Sequence, residues 1–253
     1  MTLPALSGPI LVYLLVFART GAMIMLLPAI GDANVPSRVR LVLALAVSLA
    51  LAPTVTASYP AQAPDSVVAL TFLIVQEVTA GMLVGAMARI IVSAVSVAGF
   101  LIASQTGLSY AQTLDPTSND QQGASVGGFL SLLATVLIFA TNLHHLAIGA
   151  IAGSYHVIPP GAGLPTADMA ELSIRLVSGS FLLGFQLAAP FLVFGFAVNA
   201  GFGILARMMP QLQVFFVAMP VNILVGFVVL ALLIGSMMTM FLDFYSSQMG
   251  LFL

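Results

Sequence analysis

Charge is what this 253-residue sequence has least of: Asp, Glu, Lys and Arg together make up 6% of it, against about 25% in a soluble domain. Lysine, tryptophan and cysteine do not occur, and all six basic residues are arginine. The shortage of charge excludes an ordinary water-soluble globule. A formal net charge of -2 leaves no basic footprint for nucleic acid and no polybasic patch for anionic lipid. Without cysteine there are no disulfides and no thiolate ligands. No G-x-S-x-G, P-loop or H-E-x-x-H pattern is found, so nothing points to an enzyme or to a cofactor.

What the chain has is apolar residues, 60% of the total, which predicts an all-α, polytopic integral membrane protein. No hydrophilic stretch is long enough for a second domain, so residues 1–253 are expected to form one membrane domain. Apolar runs cover 10–27, ending at Pro28, and 41–52, closed by Pro53. A longer run covers 67–104, and its 38 residues make either one protruding helix of roughly 57 Å or a bent hairpin. Further runs cover 126–152, 176–199 with Pro190 as an expected kink, and 215–241, for five to seven hydrophobic helices. The 165–175 piece reads as a short amphiphilic segment of its own. The N-terminus lacks a basic region and a cleavage pattern and is read as a retained first helix. Arg38 and Arg40 favour a cytoplasmic first loop, which leaves the linker 53–65 and the N-terminus outside.

The middle of the chain departs from this pattern. Residues 105–123, QTGLSYAQTLDPTSNDQQG, are polar, and Asp115-Pro116 interrupts helical continuation. Irregular backbone of this length must face water, headgroups, protein or a wet cavity, because hydrocarbon leaves its polar groups unpaired. A plain exposed connector is the simplest reading. Within the apolar runs, Arg19, Glu77 and Arg89 are costly in lipid, and mark either a pathway or ion pairs that fix helix register. Glu77 and Arg89 lie twelve positions apart, about 18 Å on a straight helix, so each needs another partner. His144 and His145 invite a metal reading, but neighbouring helical residues point about 100° apart, and interhelical hydrogen bonding suits them better. Gly81 and Gly85 have the GxxxG spacing that admits a close helix neighbour.

The order of motifs carries a resemblance. Residues 199–220, NAGFGILARMMPQLQVFFVAMP, are similar to the FliR family of flagellar and type III secretion export-gate subunits. So are the V-P-x-R turn ending at Arg38, Glu77 with Gly81 and Gly85, GLSYAQTLDP at 107–116, TNLHH at 141–145 and SYHVIPPG at 154–161. Leu143 and Gln213 depart from the family's common glycine and asparagine. The resemblance spans essentially the whole chain.

It implies a fold of bent helical hairpins, a FliP-like part followed by a FliQ-like part. It also implies a channel for unfolded flagellar proteins, built with FliP-like and FliQ-like subunits in the bacterial inner membrane at the flagellar basal body. FlhB-like and FlhA-like export proteins are the further partners implied. A virulence-type secretion homologue would have the same role. In such a protein residues 107–122 plug the pore, with Gly107, Leu108, Ser109, Tyr110, Asp115 and Pro116 in the matching stretch, and Arg207, Pro210, Gln211 and Phe215 contact sister subunits. The rival readings are a small-solute secondary transporter, suggested by Glu77, Arg89 and the interrupted helices, and a passive structural subunit.

Overall fold

The structure, a computed structural model, describes residues 8–32, 35–59, 66–109, 125–163, 165–208 and 214–252. Among these residues the regular elements are all helical. They are α1 (Gly8–Leu26), α2 (Ser37–Val55) with a 3₁₀ turn (Thr56–Ser58), α3 (Val67–Gln105), α4 (Ser125–Ala140), α5 (His144–Val157), α6 (Thr166–Met208), α7 (Val214–Met249) and a terminal 3₁₀ turn (Gly250–Phe252). Five of these helices are long and apolar enough to cross a membrane, and the bent pair α4 and α5 makes a sixth candidate. The protein is thus an all-α polytopic membrane protein.

Two of the expected boundaries fall elsewhere. The amphiphilic piece at 165–175 is not a separate segment, because α6 runs unbroken through it and through Pro190 for 43 residues. Nothing at Arg175 or Leu176 stops a helix, and the Arg175 guanidinium reaches back one turn to Glu171 at 2.5 Å, an arrangement that supports helix. Conversely, the run 126–152 is broken. Asn142 takes the left-handed backbone (φ 61), a conformation its short polar side chain tolerates, and α5 leaves α4 at 75°. The 67–104 run resolves as the single 39-residue helix α3.

The chain divides into two compact units. In the first (Met1–Ile91, Ile138–Val177 and Tyr245–Leu253) α1 and α2 form an antiparallel hairpin, with the Tyr13 hydroxyl donating to the Leu45 carbonyl at 3.2 Å. The first part of α3 runs parallel to α1 at backbone contact distance. A Cβ on Gly81 would fall on the Arg19 carbonyl, and one on Gly85 would lie 2.7 Å from the Met23 carbonyl. The GxxxG spacing therefore exists for α1. Leu15, Val16, Met23, Ala80, Val84, Met87 and Ala88, on these two helices, are buried.

In the second unit (Val92–Leu137 and Ser178–Phe244) the last part of α3 is central. α4 packs antiparallel to it, Gly99 against Gly127, with the Ser96 and Ser131 hydroxyls hydrogen-bonded at 2.7 Å. α6 lies alongside in parallel, Gly184 facing Ala94 and Val97 and Gly195 facing Gln105. α7 returns antiparallel to α6, with Gly179 against the Phe244 ring.

Candidate functional site

Two polar sites stand out in this apolar chain, one in each unit. The first is centred on Arg19, in the middle of α1 and 0% exposed. Its Nε donates to Glu77 Oε2 at 2.7 Å and its Nη2 to Glu77 Oε1 at 3.1 Å, the two-pronged geometry that fits a planar guanidinium to a carboxylate. Nη2 also donates to the Ile158 carbonyl at 3.0 Å, and Nη1 to Ser154 Oγ at 3.1 Å. The guanidinium carbon lies 3.9 Å from the centre of the Tyr155 ring, a cation–π contact strengthened by the burial of both side chains. Four of its five N–H donors are thereby used.

Glu77 is equally enclosed. The Tyr59 hydroxyl donates to Oε2 at 3.0 Å, so the carboxylate accepts three hydrogen bonds. Tyr59 comes from the segment expected to be an external polar linker. Its ring folds inward, edge-on to Tyr155 with ring centres 6.0 Å apart, and its burial raises the phenol pKa, which keeps the donated proton in place. One residue before Glu77, Gln76 holds the turn after α5. Its Nε2 donates to the Pro159 carbonyl at 2.9 Å and the Gly163 carbonyl at 3.3 Å, while its Oε1 accepts from the Gly161 N–H at 3.2 Å. Gly161 and Gly163 both have positive φ (80 and 85), which a residue with a Cβ would adopt only under strain. Four segments of the first unit, α1, the 59 region, α3 and the α5 end, are tied at one point. With its charge matched and its acceptors occupied, the pair acts as a fastener and offers nothing to a solute.

The second site is the root of the polar loop. The end of α3 fills two glycine gaps: Gln105, its last residue, occupies the space a Cβ on Gly195 would need, and the methyl of Thr106, the next residue, sits where a Cβ on Gly226 would be. Asn222 Nδ2 donates to the Gln105 carbonyl at 3.3 Å, supplying a partner to a carbonyl at the helix end. Gly107 follows with φ 77, the usual way an α-helix is brought to a stop. The root is therefore seated between α6 and α7. Leu108 and Ser109 are half-buried beyond it, whereas Tyr110, Asp115 and Pro116 lie outside the described residues.

The remaining candidates are scattered. Arg89 is exposed, with its Nη2 3.7 Å from Asp32 Oδ1, a separation and exposure that make the pair worth about 0–1 kcal/mol. Arg207 is exposed on the last turn of α6, where a cation suits the helix dipole. Pro210 and Gln211 are outside the described residues, and of Phe215 only its place in the first turn of α7 is described. His144 stacks on Phe139 with ring centres 5.0 Å apart, and no group of three metal-ligating side chains occurs among the described residues. Reading the sequence missed Tyr59, Gln76, Ser154, Tyr155 and Asn222. For Asn222 a signal existed, a lone amide inside the apolar run 215–241.

Comparison with known proteins fits this layout. Residues 10–247 match the family model described as bacterial export proteins, family 1. The flagellar biosynthetic protein FliR of Caulobacter vibrioides is 40% identical over 94% of this chain and 94% of its own length. FliR of Escherichia coli is 32% identical, covering 85% of this chain and 81% of its own. The Yop proteins translocation protein T of Yersinia pestis is 27% identical over 92% of this chain and 90% of its own. The family is one of secretion components and not of enzymes, and on the strength of a match across nearly its whole length the chain belongs to it, as a FliR-type membrane component of flagellar protein export.

Proposed function

We propose that the protein is a subunit of the flagellar type III export gate, and that with FliP-like and FliQ-like subunits it walls the channel by which unfolded flagellar proteins cross the inner membrane at the basal body. The observation that carries this is a mismatch of length. α3, α6 and α7 have 39, 43 and 36 residues, or axial lengths of roughly 58, 64 and 54 Å. The hydrocarbon of a bilayer is about 30 Å thick, and an average tilt of about 20° shortens a helix by only about 6%. Apolar side chains stay exposed along the whole of α6, from Ile174 and Phe181 through Val193 and Phe196 to Ile204 and Met208. Lipid covers part of such a surface, and the rest calls for apolar faces of other subunits. FlhB-like and FlhA-like proteins would join the same assembly.

In this reading residues 107–122 are the plug. Sixteen residues extend to at most roughly 55 Å, enough to cross a lumen sized for one polypeptide. A polar loop rooted at Gln105 and Thr106 can leave the path without unpacking a core, which makes gating a matter of order and disorder. The relative from Yersinia supports a second reading, the same role in a virulence-type system. A small-solute transporter is disfavoured because Glu77 is already consumed by Arg19 and Tyr59.

The test is co-expression. Alone, the chain is expected to be degraded or polydisperse; with FliP-like and FliQ-like partners it is expected to give one stable complex. A long-lived monodisperse monomer would sink the proposal. Restored swimming in a flagellar mutant lacking its own FliR, against restored effector secretion in a virulence strain, separates the two readings.

A further inference from the structure

α6 carries a polar interruption at the middle of its length. Gln186 lies 20 residues after Thr166 and 22 before Met208, and no ionisable residue stands between Arg175 and Arg207. The nearer of those charges, Arg175, is eleven positions away, about 16 Å along the axis, or half the thickness of a bilayer's hydrocarbon. Four residues after Gln186 comes Pro190, inside the helix. Proline has no N–H, so the Gln186 carbonyl loses the bond it would otherwise accept one turn on. Both residues are exposed, on the same face of the helix. Gln105 offers a contrast, since its carbonyl at the end of α3 receives the Asn222 amide from within the chain. No described side chain donates to the Gln186 carbonyl, and the Gln186 amide has no hydrogen-bond partner among the described residues.

The stripe around this point is otherwise apolar. Leu182, Ala189, Val193 and Ala197 share the face with Gln186 and Pro190 at helical spacing, and all are exposed, Leu182 at 59% and Val193 at 71%. The opposite face is already occupied: Leu183, Leu187, Ala188 and Phe191 are buried, and Gly184 meets Ala94 and Val97 of α3. Hydrocarbon satisfies neither the amide nor the freed carbonyl, and a proline inside a membrane helix is tolerated where a neighbouring helix or water supplies the missing partner. Water is a poor occupant here, because it would have to wet Leu182 and Val193 as well. Ala189 and Ala197 leave room for close approach of another helix. We propose that a membrane helix of a sister subunit packs along this stripe and pairs a hydroxyl or amide side chain with Gln186, an inference that rests on the chain being an export-gate subunit. Such a side chain both donates and accepts, so one group can serve the carbonyl and the amide together. A single polar pair in an apolar seam then sets which turn of the neighbour faces Gln186.

The test is association and contact in the complex formed by co-expression with FliP-like and FliQ-like subunits. Gln186→Leu, a change at an exposed position, should weaken retention of the sister subunits through a dilution series by about ten-fold at unchanged helicity, the usual scale for one buried hydrogen bond left unmade. Gln186→Asn should keep part of the association. Because the chain has no cysteine, Ala189→Cys gives it a single thiol for a benzophenone-maleimide probe, and irradiation of native membranes should join the tagged chain to a sister subunit. Association of the Gln186→Leu complex equal to or tighter than that of the native one would overturn the inference, as would a probe at Ala189→Cys that captures only lipid. Free reaction of that thiol in the assembled complex with a membrane-impermeant, water-soluble reagent would mark a wet wall and would also overturn it. These three outcomes leave the export-gate reading standing, whereas failure of the native chain to assemble with its partners would overturn both.

Discussion

Arg19 and Glu77, 58 residues apart in sequence, meet through two hydrogen bonds of 2.7 and 3.1 Å with neither side chain exposed to solvent. A buried pair of this kind is not a large net source of stability, but removing one partner leaves an unmatched charge. Its role is to make one arrangement of α1, α3 and the α5 end the only one in which both charges are satisfied.

Glu77→Ala should therefore lower the thermal stability of the purified complex by about 3–5 kcal/mol, whereas the double change Arg19→Met/Glu77→Leu should recover most of the loss. Tyr59→Phe, which removes one hydrogen bond to the carboxylate, should cost about 1.5–3 kcal/mol. Melting followed by circular dichroism in detergent reads all three. A double variant as unstable as Glu77→Ala would contradict this account.

Glycines can be sorted by what their missing side chain would meet. Gly81→Ala puts a methyl on the Arg19 carbonyl and should destabilise by about 1–3 kcal/mol through forced separation of α1 and α3. Gly235→Ala on α7 meets nothing within 4 Å and should be neutral or stabilising by up to about 1 kcal/mol from helix propensity. The same melting measurement compares them, and equal losses at both positions would refute the close-approach argument.

Removal of residues 111–119 should leave the complex assembled, because a shorter loop closes at little entropic cost. Cells carrying the shortened loop should then leak ions at rest, read as conductance or as growth inhibition by an added solute. Asn222→Ala, which frees the Gln105 carbonyl at the loop root, should leak to a smaller degree. An assembled complex that stays tight after the deletion would place the seal elsewhere and return the loop to the role of connector.

Arg207→Leu should weaken subunit association or export by about 1–3 kcal/mol, since a carboxylate or carbonyl on a neighbouring subunit would lose its donor. Sedimentation of the co-expressed complex and secretion of a flagellar substrate are the measurements. Normal values for both would mean that Arg207 merely extends to the membrane surface.

Reading the residues alone recovered the helical, membrane-embedded class because charge depletion and apolar length are global signals. It also identified Arg19 and Glu77 as costly, and excluded the pairing of Glu77 with Arg89 by distance alone. Long-range partners were not legible: nothing local to Tyr59 says that a residue in a proline-marked polar linker turns back to a carboxylate 18 positions ahead. The break at Asn142 depended on backbone geometry that the surrounding apolar run conceals. At the loop root, Gly195 and Gly226 were visible as small residues, but their use as slots for Gln105 and Thr106 required three helices to be placed together.

The arrangement around Arg19 also has a schedule. α1 is made before α3, and its arginine enters the membrane before its partner Glu77 is synthesised, at a cost of about 2.5–3.5 kcal/mol on insertion scales. Glu77 follows 58 residues later, about 3–12 s at a synthesis rate of about 5–20 residues per second. Ser154 and the Ile158 carbonyl, 135 and 139 residues after Arg19, follow after about 7–28 s. Throughout that interval the arginine of α1 lacks its native partner, and the insertion machinery or a surface-seeking side chain has to shelter it until the ribosome delivers Glu77.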